Sequence, residues 1–245
     1  ITGLTGFVDW RVGSRFRTNP NHGTTLLHEL RGQVRGDWST ADSTMSFAVD
    51  LILDDLVDSR SIDLNAGEGF VDIREANILL RPAGNLDLKL GRQTLTWGTG
   101  DLIFLNDLFP KDYVSFFNGR DEEYLKAPSD VVRASLFFNV INIDVIYVPQ
   151  FDPDRFFTGE RLSYYNPNLD AIVGPNAVIT PTIPDRWFQD DEMAVRVYRQ
   201  LGAFELAGYA YRGFWKSPAG QSASSIPIFP ELSVYGASAR GPVLG

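Results

Sequence analysis

The segment Leu26–Trp38 alternates strictly between two kinds of side chain, and few folds tolerate such a pattern. One set of alternate positions is mainly apolar, and the other is mainly charged. The first set is Leu26, His28, Leu30, Gly32, Val34, Gly36 and Trp38, and the second is Leu27, Glu29, Arg31, Gln33, Arg35 and Asp37. Successive side chains point to opposite faces in a strand, whereas a helix repeats every 3.6 residues. The segment therefore predicts a β-strand with one apolar and one charged face.

The same alternation recurs along the chain and predicts about ten strands. The other nine lie near residues 4–16, 45–53, 71–80, 86–97, 131–138, 141–147, 193–200, 204–215 and 232–240. Two of them change parity, which a β-bulge would correct. We predict one bulge at Arg74 and Glu75. A second bulge near Gly91 would turn Arg92 to the charged face and place Leu95 and Trp97 on the apolar face.

Short and long connections between these strands follow one another regularly. Short turns are predicted at Ser39–Ser43, Pro82–Asn85, Asn139–Val140 and Leu201–Ala203, and long stretches at Arg17–Thr24, Asp55–Gly69, Thr99–Asp130, Gln150–Asp191 and Lys216–Glu231. A transmembrane barrel has this order, with short periplasmic turns and long external loops. We therefore predict a single all-β domain over residues 1–245, an antiparallel up-and-down transmembrane β-barrel.

A soluble sheet also alternates, with its apolar face toward a dry core, so the alternative is a soluble all-β sandwich. Two features favour the membrane. The strands have the length that a tilted strand needs to cross a bilayer. Aromatic side chains (Trp10, Trp38, Tyr147 and Trp97) lie near strand ends on the apolar parity, as in an interfacial girdle. The charged parity would then line water.

The composition offers little for catalysis or metal binding. The chain has no Cys and two His, so we predict no metal site, no cofactor and no enzymatic activity. A net charge of −9 argues against nucleic-acid binding. Acidic residues gather at the ends of connections without calcium-loop spacing, and we interpret them as solvated loop charges. They are Asp54, Asp55, Asp121, Glu122, Glu123, Asp152, Asp154, Asp190, Asp191 and Glu192.

The stretch Leu86–Asp112 reads LDLKLGRQTLTWGTGDLIFLNDLFPKD, a strand followed by an Asp-rich loop. It resembles Gram-negative outer-membrane porin-like proteins, a group that includes alginate-export-type channels. The residues that carry the resemblance are Gly91, Arg92, Gln93, Trp97, Gly98, Asp101, Asp107, Pro110 and Asp112, with Arg74–Ala76 and Ser238–Pro242. The resemblance implies an outer-membrane pore. Members of this group are longer than this chain, so we expect an incomplete barrel whose closing strands lie outside this sequence.

The charged faces of the strands predict a set of pore-lining residues. They are Arg11, Glu29, Arg31, Arg35, Asp50, Asp72, Arg74, Glu75, Arg92, Arg133, Asp144 and Arg196. Arginine rings favour anions, but these arginines could equally pair with the carboxylates and stiffen the wall. Both interpretations stay open.

Two connections are long enough to have functions of their own. The stretch 150–191 is predicted to be a long external loop. The stretch 99–130 is rich in aromatic residues, and we predict a constriction loop that packs against the wall or folds into the mouth. Its candidate residues are Asp101, Asp107, Asp112, Tyr113, Phe116, Phe117 and Arg120.

Three functions are compatible with these patterns. The first is a bacterial outer-membrane channel that passes small or oligomeric hydrophilic solutes, including anions, by diffusion or export. Its partners would be the lipid bilayer, lipopolysaccharide and the solute, with a homo-oligomer or a periplasmic partner as further options. The second is a structural barrel that sheathes or anchors a partner protein. The third is a soluble all-β carbohydrate-binding module.

Overall fold

The computed structural model describes residues 3–17, 20–56, 61–97 and 106–242, in which ten strands form one antiparallel sheet. Each strand pairs with its neighbours in sequence, which is the predicted up-and-down order. The strands are β1 (Gly3–Ser14), β2 (Thr25–Ser39), β3 (Ser43–Asp54), β4 (Val71–Ala83), β5 (Leu86–Thr94), β6 (Pro128–Phe137), β7 (Asn142–Val148), β8 (Glu192–Leu201), β9 (Phe204–Phe214) and β10 (Glu231–Arg240). The all-β antiparallel fold is thus confirmed. The sheet is open, with β1 and β10 as its edges among the described residues.

The connections alternate in length as predicted. Residues 40–42, 84–85, 138–141 and 202–203 form the short turns at one end of the sheet. The long connections at the other end contain short elements of secondary structure. They are the strand pairs Ile62–Asp63 with Glu68–Gly69, Tyr164–Asn166 with Ala171–Val173 and Gly220–Gln221 with Pro227–Ile228, the helix α1 (Tyr113–Phe117) and a 3-10 turn (Glu122–Leu125). No helix within the described ranges has the length and apolar character to cross a membrane.

The two faces of the sheet differ sharply in exposure. We call the face against which residues 106–127 pack the inner face, and the opposite face the outer face. The outer face exposes large apolar side chains: Val8 is 80% exposed, Trp10 68% and Leu51 58%. The inner face buries charges, and Arg31 and Asp50 are 3% and 0% exposed. Strand alternation produces this division, but its sense is the reverse of that of a water-soluble sheet.

The predicted β-bulge at Arg74 and Glu75 is present. Ala48 pairs with Glu75 and the next residue, Val49, pairs with Ile73, so Arg74 is the extra residue. The bulge near Gly91 is wrong. Strand β5 keeps a regular register with both neighbours through Gly91. Instead Gly91 has a φ of 109°, and a Cβ there would lie 2.4 Å from the carbonyl oxygen of Ala76, so only glycine fits.

Leu95 and Trp97 are not on the outer face, contrary to the prediction. They are 2% and 7% exposed and belong to an apolar cluster on the inner side. The Trp97 ring packs edge-on against Phe109 at 5.0 Å and lies 5.9 Å from Tyr209. Strand β5 ends at Thr94, so alternation no longer determines where these side chains point. Of the predicted girdle, Trp10 and Trp38 are exposed on the outer face, at 68% and 62%.

Candidate functional site

Residues 106–127 form a folded segment, the inner loop, which lies on the inner face of the sheet. Its only α-helix, α1, is capped by Asp112, whose carboxylate accepts hydrogen bonds from the Ser115 amide and hydroxyl, both at 2.6 Å. Such N-capping satisfies the free amide of the first turn. Gly119, with a φ of 72°, follows the helix and reverses the chain. Local contacts within the sequence therefore contribute to the compact form of the loop.

Tyr124 joins the inner loop to three strands of the wall. Its hydroxyl donates to Asp50 at 2.6 Å and accepts from Gln33 at 3.2 Å. The guanidinium groups of Arg31 and Arg74 both lie 4.7 Å from the centre of its ring. Two cation–π contacts and a hydrogen bond to a buried carboxylate hold this side chain, which is 2% exposed.

A chain of ion pairs continues from Tyr124 along the inner face. Arg31 donates to Asp50 at 2.5 Å and to Glu29 at 2.9 Å. Glu29 also accepts from Arg120 of the inner loop, once at 3.2 Å and once in a shorter contact. Arg11 of β1 reaches the same loop at the Gly119 carbonyl. The inner loop is therefore tied to β1, β2 and β3 by charged hydrogen bonds.

Arg155, from the long connection between β7 and β8, is the central residue of a second cluster. It binds Asp72 of β4 with two hydrogen bonds of 3.1 Å, and Asp112 of the inner loop with one of 3.1 Å. It also donates to the carbonyls of Leu64 at 3.0 Å and Asn65 at 3.2 Å. One buried guanidinium thus fastens three connections and one strand together.

On the other side of the inner loop, charged pairs are buried next to the apolar cluster. Lys111 donates to Asp107 at 3.1 Å, and its amide donates to Asp154 at 2.7 Å. Lys216 donates to Glu192 at 2.5 Å. Asp154 and Glu192 are 7% and 1% exposed, so the prediction that such carboxylates are solvated is wrong for them. Asp54 and Asp190 are each 7% exposed, so the prediction of solvated carboxylates is wrong for these two residues as well.

Farther toward the short turns, a third charged group spans β6 to β9. Asp144 accepts from Ser135 at 2.5 Å and from Arg133 at 3.4 Å. Arg196 lies 4.0 Å from Asp144 and donates to Glu205 at 2.7 Å. The Arg133 side chain is the most exposed of this group, at 37%, whereas Asp144 is buried.

A cavity of about 270 Å³ separates the inner loop from the wall formed by β2, β4 and β5. Its lining is polar throughout and comprises Gln33, Arg35, Arg74, Glu75, Thr94, Thr96, Glu123 and Lys126. Arg74 is 6% exposed, and its Nη1 has no hydrogen-bond partner among the described residues. A polar cavity of this size holds water.

The predicted pore-lining residues other than Arg92 lie on the inner face, buried or half-buried. They are Arg11, Glu29, Arg31, Arg35, Asp50, Asp72, Arg74, Glu75, Arg133, Asp144 and Arg196. Arg92 is buried as well, but the regular register of β5 pairs it with Ala76 and Asp130, on the same parity as Leu88 and Leu90. Arg92 belongs to none of the clusters described above. It donates hydrogen bonds to Asp130 at 3.0 Å and to backbone carbonyls. Most of these arginines pair with carboxylates, so pairing accounts for more of them than a free ring of positive charge does.

The candidate residues of the constriction loop divide into two groups. Asp107, Asp112 and Arg120 make the ion pairs described above, and Tyr113 is half-buried. Phe116 and Phe117 are 41% and 59% exposed, and Phe117 packs against Phe157 at 4.9 Å. Asp101 lies outside the described residues. Tyr124 and Arg155 were missed as site residues, because neither follows a periodic pattern in the sequence.

The protonation states of the loop groups support these contacts. Burial raises the pKa of the Tyr124 hydroxyl, and the hydrogen bond to Asp50 raises it further, so Tyr124 remains a donor. Burial opposes the charge of Arg155, but Asp72 and Asp112 more than offset it and raise its pKa above the ordinary value. Over residues 3–17, 20–56, 61–97 and 106–242, no three His, Asp or Glu side chains are grouped to hold a metal ion.

Comparisons with known proteins give similarity to solved structures but not to protein families. No protein-family model matches the sequence, and no curated protein matches it. The high-pH structure of OprB, an outer-membrane porin of Pseudomonas putida, matches with a TM-score of 0.40 and 10% identity, over 96% of this chain and 58% of OprB. The chain thus spans less than two thirds of the length of that protein. This similarity concerns the β fold alone.

Proposed function

We propose that the chain forms the wall of a passive channel in a bacterial outer membrane, with the inner loop as its constriction. The observation that supports this proposal is the reversed distribution of side chains. Apolar residues are exposed on the outer face, and charged residues are buried on the inner face. Apolar groups are stable on the outside of a sheet when hydrocarbon surrounds it. Lipid and lipopolysaccharide would then cover the outer face. The function needs no cofactor and no catalytic residue.

The soluble carbohydrate-binding alternative is disfavoured by the same observation. In a soluble sandwich, Val8, Leu30 and Leu51 would pack into a core with Arg31 and Arg35 in water. Here Val8, Leu30 and Leu51 are 80%, 40% and 58% exposed, whereas Arg31 is buried. At about 25 cal/mol per Å² of apolar surface, so many exposed large side chains would be costly in water.

We place the passage in the cavity between the inner loop and the wall. The apolar cluster around Trp97, Phe109 and Tyr209 occupies part of the region on the other side of the loop. The cavity lining includes three cations (Arg35, Arg74 and Lys126) and two carboxylates (Glu75 and Glu123). Such a mixed lining suits small hydrophilic solutes, and its excess of one positive charge favours anions modestly.

Conductance in a planar bilayer tests the channel against the structural-sheath alternative. The purified protein should produce ion conductance without any added partner. A structural barrel whose interior is closed, either by its own side chains or by a partner protein that copurifies with it, should not conduct. Stable insertion with no conductance in the purified protein would overturn the channel and favour the sheath. Solubility and a monodisperse state without detergent would overturn both.

The reversal potential in a KCl gradient tests where the passage lies. Lys126→Gln removes one cation from the cavity lining and should shift the reversal potential toward cation selectivity. Arg212→Gln is the matched control, because Arg212 is an outer-face residue whose side chain is 67% exposed. An equal shift from both variants, or from neither, would show that the ions do not pass this cavity.

A further inference from the structure

Residues 185–190 form a braced turn just before β8. The Arg186 side chain donates two hydrogen bonds to the Asp190 carboxylate at 3.0 and 2.9 Å, and its amide donates a third at 3.0 Å. The Asp190 amide donates back to the Arg186 carbonyl at 2.9 Å. This network closes the turn at both ends and leaves Trp187 and Phe188 at its tip.

The two aromatic residues at the tip are exposed although they contact each other. Trp187 is 56% exposed and Phe188 69%, and their ring centres are 5.8 Å apart. Phe188 has a φ of 60°, a left-handed conformation that Gly or Asn adopts with less strain. A turn that needed only its backbone shape would be more stable with glycine there. The phenylalanine side chain therefore has a role that offsets the strain, and the described residues do not cover it.

The position of the turn in the fold indicates what surrounds Trp187 and Phe188. The Phe188 amide donates to the Pro149 carbonyl at 2.8 Å, and the Phe151 amide donates to the Asp190 carbonyl at 2.8 Å. The turn thus lies directly at the long-connection end of β7 and β8. There Tyr147 and Met193 pair across the two strands on the outer face. The aromatic pair thus lies next to the strand ends at which the apolar outer face stops.

We propose that Trp187 and Phe188 anchor the channel in the lipid interface at the long-connection end. This inference rests on the proposed membrane function. Aromatic rings are most stable at the boundary between headgroups and acyl chains, where one side is apolar and the other is wet. The neighbouring charges form pairs of their own, Arg186 with Asp190 and Arg212 with Asp191. Asp185 is the one further charge of the turn, so the turn presents mainly its two rings to the lipid.

Tryptophan quenching by brominated lipid tests the anchor. The purified protein is reconstituted in phosphatidylcholine vesicles, with bromine on the acyl chains either just below the headgroup or near the chain end. Trp187→Phe should reduce the fluorescence quenching caused by bromine near the headgroup. The quenching caused by bromine near the chain end should be almost unchanged. Trp10→Phe, on the outer face of β1, should reduce quenching by acyl-chain bromine and reports bilayer insertion independently.

Trp215→Phe is the matched control for Trp187→Phe. Trp215 lies at the same end and is 49% exposed, but it lines an inner cavity with Lys111 and Lys216. Its removal should leave lipid quenching unchanged. If Trp10 is quenched and Trp187 is not, the anchor is wrong and the channel stands. If neither is quenched, the membrane function itself is wrong.

Discussion

Removal of one hydroxyl from Tyr124 should loosen the inner loop by a measurable amount. Tyr124→Phe deletes the hydrogen bond to Asp50 at 2.6 Å and the one from Gln33 at 3.2 Å. A hydrogen bond to a charged group contributes about 1.5–3 kcal/mol. Asp50 is fully buried, so water cannot replace the lost donor without opening the site. The ring should stay between its two arginines, because its contacts with them do not involve the hydroxyl.

A loss of about 1.5–3 kcal/mol raises the ratio of released to docked loop roughly ten- to a hundredfold, at about 1.4 kcal/mol per factor of ten. Single-channel recording should therefore show more frequent transitions to a state of higher conductance.

Tyr165→Phe is a matched control for this experiment. Tyr165 also donates to an aspartate, Asp170 at 2.5 Å, but it is 58% exposed on the hairpin Tyr164–Val173. Its loss should leave the recording unchanged. A Tyr124→Phe channel whose conductance and fluctuations match those of the unsubstituted protein would refute the docking role of this hydrogen bond.

Three further predictions concern the wall and the long connections. Val8→Arg on the outer face should lower the free energy of unfolding in a bilayer by about 2–4 kcal/mol, measured by urea titration in vesicles; an unchanged value would contradict a lipid-facing β1. Gly91→Ala should lower the free energy of unfolding by more than about 1 kcal/mol in the same titration. Gly84→Ala should lower it less, because no atom lies near the position of the added Cβ. Burial raises the pKa of Asp154 above its ordinary 3.8, so protonation stabilises the folded state. That contribution is complete below pH 3.8 and is lost as pH rises through the higher folded pKa; in detergent, Asp154→Asn should flatten this pH dependence of the unfolding midpoint.

The assignment of faces could be predicted from the sequence, because alternation in a strand is a local geometric property. In Leu26–Trp38, neighbouring residues are enough to show which side chains share a face. The same is true of the parity change at Arg74. Prediction failed at Gly91, inside β5, and where a strand ended. Trp97 follows Thr94, the last residue of β5, and from there its direction depends on Phe109 and Tyr209.

The candidate site could be predicted only in part, for a related reason. Asp50 and Asp72 were identified from their strands, but their partners Tyr124 and Arg155 come from irregular connections that have no periodicity. These contacts join residues that are 74 and 83 positions apart in the chain. No local pattern indicates which loop residue will reach which strand.

Taken alone, the sequence determined the number and order of the strands, their alternating connections and which side of each strand is charged. These properties follow from the backbone geometry of single strands and turns. The tertiary structure alone decided that the inner loop docks on β1 to β4, that Arg155 joins three connections, and that the inner side holds both an apolar cluster and a polar cavity. Those outcomes depend on side chains that meet only when the whole sheet has formed.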